Sequence, residues 1–146
     1  MIPATASELA ELFAAVDPTY FHPHPLTPEC AADIASYKGR DVYLVLRDEG
    51  RPVAYGFLRG WDEGYAVPSL GIAVRTDAQG RGFGRSMMEQ LHDVARERGA
   101  RQIRLRVHPD NVGARRLYES LGYQDVGVER GEILMFCELP ARPTER

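Results

Sequence analysis

Lysine is almost missing from this chain: Lys38 is the only one among 18 basic residues, and all the others are arginine. An arginine inside a motif therefore means little by itself, and its position has to carry the argument. Cysteine is nearly as scarce. Cys30 and Cys137 lie far apart with neither CxxC nor zinc-ligand spacing, which excludes a disulfide framework and leaves two thiols with no nucleophile motif around them. Long apolar runs are also absent. Nothing approaches the roughly 20 residues that cross a bilayer, and the first residues lack the basic flank and apolar core of a secretory leader. With 18 basic against 21 acidic residues mixed along the chain, the formal charge is −3 and no cationic face for nucleic acid can be read from it. The expectation is a soluble, cytoplasmic protein with neither nucleic acid nor membrane as partner. Its 146 residues suit a single domain over positions 1–146.

What is present is a change of period along the chain. Thr5 stands three residues before Glu8 as a capping box, and Leu9, Leu12, Phe13 and Val16 then share one helical face. The proline-rich stretch DPTYFHPHPLTPEC forbids regular structure until Thr27 caps a second helix with Pro28 at its first position. DVYLVLR and PVAYGFLRG, joined by DEGR, read as an antiparallel hairpin. GYAVPSLGIAV supplies a third strand, in which Pro68 implies a bulge or an unpaired edge. From Phe83 onward, Met87, Met88, Leu91 and Val94 or Ala95 recur at helical spacing until Gly99 closes the segment. RQIRLRV is another strand, NVGARRLYESLGY a short helix stopped by Gly122, and QDVGVERGEILMFCEL two strands around Arg130 and Gly131. Strand, helix, strand implies a parallel pair with a right-handed crossover, so the expected class is α/β: a mixed, mostly antiparallel sheet with helices on both faces.

In QGRGFGRS, Gly80, Gly82 and Gly84 alternate just before a helix, leaving several N–H groups unobstructed at the positive end of the helix dipole. That is an anion cradle. The dinucleotide pattern GxGxxG is not met, and no lysine completes a Walker loop, so neither a dinucleotide nor ATP is the natural ligand. What fits is Gln/Arg-x-x-Gly-x-Gly/Ala, through Gln79, Gly82 and Gly84. With this motif, the preceding LGIAV and the later HPDNVGARRLYESLGY, the chain resembles the GNAT superfamily of acyl-CoA-dependent N-acyltransferases from about Val42 to Leu139.

The resemblance implies a parallel strand pair splayed at an acetyl-CoA site, with acetyl-CoA as co-substrate and direct transfer to a primary amine in a ternary complex. It places Ile72, Ala73 and Val74 along the pantetheine arm, and Gln79, Gly80, Arg81, Gly82, Phe83, Gly84, Arg85 and Ser86 around the pyrophosphate. Asn111 would hydrogen-bond further along the arm, although its position also suits an N-cap. Tyr118 matches the tyrosine that many members use as general acid toward the sulfur of coenzyme A. The carboxylates that members often carry on the fourth and fifth strands correspond here to Pro68 and Arg106, so the base is left among Glu63, Ser69, His108 and ordered water.

Two segments offer themselves to the acceptor: FHPHPLT, with His22 and His24, and RGWDEGY, with Arg59, Trp61, Asp62, Glu63 and Tyr65; Ser69 adds to them as a substrate-binding candidate. Carboxylates beside an aromatic face suit a cationic amine or a sugar ring. No third ligand accompanies His22 and His24, so no metal is expected. A small amine or amino sugar is preferred as acceptor to a protein N-terminus, and a non-catalytic acyl-CoA sensor is the alternative of another class. Members of the family are often dimers, which points to Glu132–Leu139 for a homodimer contact. The residues MIP leave little room for the strand that usually precedes the first helix.

Overall fold

A computed structural model describes residues 4–140. Helix α1 (Ala6–Ala14) starts at the predicted capping box: Thr5 Oγ1 accepts from the Glu8 N–H and Glu8 Oε1 from the Thr5 N–H, both at 3.1 Å. No strand precedes it among the described residues, and Met1 to Pro3 lie outside them. The proline-rich segment is more regular than expected. Asp17 caps a 3-10 turn over Pro18–Tyr20, with proline preset for the first position, before Thr27 caps α2 (Pro28–Ala35).

Strands β1 (Val42–Asp48) and β2 (Arg51–Arg59) form the hairpin, turning through Glu49 and Gly50 with both φ values positive, at 52° and 81°. Next come β3 (Ser69–Val74), α3 (Phe83–Glu97), β4 (Gln102–Val107), α4 (Val112–Ser120), β5 (Gln124–Glu129) and β6 (Glu132–Glu138). Pro68 makes no bulge. It lies just before β3, buried, where only its carbonyl is needed, and that carbonyl accepts from the Arg104 N–H at 3.1 Å.

The six strands are ordered β1-β2-β3-β4-β6-β5, antiparallel at every pairing except β3 with β4. Strand alternation separates two cores. Ala54, Leu58, Leu70, Ile103, Leu105 and Met135 pack under Met87, Met88 and Leu91 of α3. On the opposite face Val45, Tyr55, Phe57 and Ala73 pack under Leu9, Leu12 and Phe13 of α1 and Ala31 of α2. Gly56 lets α3 approach: a Cβ there would lie 2.7 Å from Met87 Cγ and Sδ. Strand β6 is paired on both sides, so Glu132–Glu138 has no free hydrogen-bonding edge for a homodimer, and β5 is the outer strand.

Candidate active site

The parallel pair is barely a pair. Ser69 and Arg104 are its single register match, and beyond Ser69 strand β3 continues through Val74 laddered only to β2. The strands part into a cleft of about 1260 Å³ bordered by β3, the start of α3, α4 and the face of β4 and β6. Leu70 to Val74 thus expose the edge of a strand to that cleft, a ready partner for amide groups.

At the far end of β3 the chain turns through Gly80 and Gly82, whose φ values of 79° and 86° are left-handed and whose absent Cβ positions have no atom within 4 Å. Gly82 is also the N-cap of α3. No side chain caps this end and no carboxylate occupies its first turn. The first helical bond runs from the Ser86 N–H to the Gly82 carbonyl at 3.0 Å, so the N–H groups of Phe83, Gly84 and Arg85 stay open. This cradle fits an anion.

The expected cofactor contacts divide. Ile72, Ala73, Val74, Gln79, Gly80, Gly82, Phe83, Gly84, Arg85 and Asn111 line the cleft. Arg85 is steadied by Ser120, its Nη2 donating to Oγ at 2.8 Å. Arg81 and Ser86 do not line it: Arg81 pairs with Asp48 at 3.0 Å and lies 4.8 Å over the Phe83 ring. Asn111 caps α4, accepting from the Ala114 N–H at 3.4 Å while facing the cleft. Tyr118 lines the cleft from α4 with 6% exposure. Its hydroxyl has no hydrogen-bond partner among the described residues, and burial raises its pKa well above the ordinary phenol value.

Of the acceptor-side candidates, His22, Glu63, Ser69 and His108 line the cleft, whereas His24 and Trp61 do not. His24 belongs to the α1 core. Its ring lies 5.5 Å from Phe13 and 5.1 Å from Phe21, Nδ1 is 2.8 Å from the Pro25 carbonyl, Nε2 is 2.9 Å from the Tyr55 hydroxyl, and burial lowers its pKa. Trp61 is buried in the α3 core with Arg98 over its ring at 4.9 Å, so it offers no aromatic platform to a substrate. No group of metal-binding side chains exists among the described residues.

His108 has its Nδ1 lone pair engaged, accepting from the Asp110 N–H at 3.1 Å, and its ring packs 4.8 Å from Tyr20. Glu129 hydrogen-bonds Arg104 and lies 3.7 Å from Arg106, Glu132 lies 3.4 Å from His22, and Asp17 is turned onto Thr19. Glu63 alone among the cleft carboxylates has no partner among the described residues. Sequence reading passed over Arg104, Glu129 and Glu132, although the alternation of RQIRLRV already sets Arg104 and Arg106 opposite the core side chains.

Residues 7–123 match the model of the acetyltransferase (GNAT) family. The chain belongs to that family. It is 41% identical over 59 residues to the [ribosomal protein bS18]-alanine N-acetyltransferase of Escherichia coli, a match covering 40% of either chain. The chain thus spans well under two thirds of the curated relatives it matches. The GNAT domain of S. lividans PAT superposes with a TM-score of 0.80 at 24% identity, over 94% of this chain and 89% of that one. A putative acetyltransferase from Salmonella typhimurium, solved with its cofactor acetyl-CoA, is 25% identical with a TM-score of 0.58, over 71% of this chain and 68% of that one.

Proposed function

We propose that the protein is an N-acetyltransferase that moves an acetyl group from acetyl-CoA directly to the primary amine of a small acceptor. The observation that carries this reading is one cleft joining a free strand edge, a glycine-walled helix start and the unpartnered hydroxyl of Tyr118. Acetyl-CoA, when bound, supplies an activated acyl thioester. The backbone of Ile72, Ala73 and Val74 suits its amide-bearing arm, and the N–H groups of Phe83, Gly84 and Arg85 suit its pyrophosphate. Glu63 takes a proton from the acceptor ammonium, directly or through water, so that a neutral amine attacks. Tyr118 Oη keeps its own proton at neutral pH, because burial disfavours the phenolate, and hands it to the leaving thiolate. Cys30 and Cys137 lie outside the cleft, which favours direct transfer over a thioester on the protein.

A protein N-terminus is the second acceptor reading, favoured by the likeness to the bS18-alanine enzyme. Thiol release from acetyl-CoA, measured over amino acids, amino sugars, polyamines and peptides with free N-termini, tests both. Tyr118→Phe is expected to lower amine-dependent release about 100-fold or more while its circular dichroism is unchanged. Acetyl-CoA binding by calorimetry with no release for any amine would instead make the protein an acyl-CoA-binding module.

A further inference from the structure

The register of the sheet aligns three side chains across the point where the cleft opens. Arg59 of β2 stands opposite Ser69 of β3, and Ser69 opposite Arg104 of β4. Residues opposite each other across strands project to the same face, so an Arg-Ser-Arg row crosses the sheet here. Phe57, two residues before Arg59, puts that face on the side of α1 rather than α3.

The charges along this row do not balance. Arg104 and Arg106 share the single carboxylate of Glu129, and Arg104 Nε is buried with no partner among the described residues. Arg59 has no carboxylate within ion-pair reach among the described residues. Its guanidinium lies 5.3 Å over the Phe57 ring, its partners are the uncharged Tyr43 hydroxyl and the Pro23 carbonyl, and the latter contact is stretched to 3.5 Å. A cation held against an aromatic wall without a counter-charge is a site that an anion completes.

That anion is not a phosphate of coenzyme A. The helix start that suits the pyrophosphate lies beyond the other end of β3, whose 6 residues separate it from Arg59 by roughly 20 Å. The anion must come with the acceptor, and Glu63, which also lines the cleft, carries the charge that suits the acceptor's amine. We propose that Arg59, with Arg104 two strands away in the same row, selects an acceptor whose amine sits next to a compact anionic group, a carboxylate or a phosphate. The inference rests on the transferase reading and extends it to the substrate class; with Trp61 buried, it displaces the sugar-stacking surface expected between Trp61 and Glu63.

Two measurements test it. The first is calorimetric titration, with coenzyme A present, of the N-acetyl derivatives of the twenty protein amino acids, their primary amides, and N-acetyl phosphoethanolamine against N-acetylethanolamine. The expected result is that the anionic member of at least one pair binds about tenfold or more tightly than its neutral partner. Arg59→Gln is expected to bring that ratio close to one, and Arg59→Lys to retain part of it. Equal binding within every pair, no binding of any anion, or a ratio unchanged in Arg59→Gln overturns the inference.

The second is thiol release from acetyl-CoA with the matching free amines, where the preference should appear in KM. Release without preference for the anionic partner overturns the substrate class and leaves the transferase standing. Absence of release with every amine counts against the transferase reading, while the titration alone still decides whether Arg59 reads an anion. The carboxylate and phosphate pairs distinguish the two sources of the charge.

Discussion

Glu63 and His108 are both able in principle to take a proton from an acceptor amine, and the groups around them separate the two. The lone pair of His108 Nδ1 is already used by the Asp110 N–H, and a base whose lone pair is hydrogen-bonded must break that bond before it can act. Glu63 carries a carboxylate on the Gly60–Tyr65 turn with no partner among the described residues, open to the cleft. Glu63→Gln is therefore expected to lower kcat about 100-fold at neutral pH and to recover part of that loss as pH rises and solvent supplies more neutral amine. His108→Gln should cost far less. Steady-state rates of both variants between pH 6 and 9 are the check, and an equal or larger loss in His108→Gln would reverse the assignment.

The glycine loop owes its shape to backbone conformation rather than to crowding, because nothing stands within 4 Å of a Cβ at Gly80 or Gly82. Gly82→Ala should therefore cost about 1–2 kcal/mol through its positive φ alone, tilting the first turn of α3 and weakening acetyl-CoA more than it lowers the melting temperature. Calorimetry beside a thermal melt reads both; a fall in melting temperature with unchanged cofactor affinity would refute the cradle. Elements like this one are legible in a sequence because their cause is local. The Thr5–Glu8 capping box, the Glu49-Gly50 turn and the Gly99 stop of α3 all lie within a few residues of what they determine. The Arg59, Ser69, Arg104 row is not local, since it exists only through the register of three strands. The places of His24 and Trp61 are non-local for a related reason: an aromatic or imidazole ring in a polar loop serves a core as readily as a substrate, and only the packing of α1 and α3 against the sheet decides which.

At the scale of the molecule, the two cores respond to acid through histidines that neither the cleft nor the proposed chemistry uses. His92 of α3 is 7% exposed, and its Nε2 lies 2.8 Å from the Tyr123 hydroxyl, tying α3 to the chain entering β5. Burial, with Arg96 adding to it and Asp93 opposing, lowers its pKa from 6.5 to about 4. A depressed value in the folded state means that the unfolded chain binds the proton first. The stability from neutral His92 is therefore complete above pH 6.5 and is lost as pH falls toward 4, with a total of about 3 kcal/mol. His24 in the α1 core shifts the same way and adds to the slope, whereas Glu8, Asp17 and Asp77 are held below their ordinary values by partners and contribute only at lower pH. Melting temperature should thus decline between pH 6.5 and 4.5, before the carboxylates titrate. His92→Gln keeps a side chain able to hydrogen-bond Tyr123 but removes the titration, so its melting curve should be lower at pH 7.5 and flatter toward acid. Parallel curves for the two proteins would mean that His92 is not held neutral by the fold, and that the α3 core meets acid through other groups.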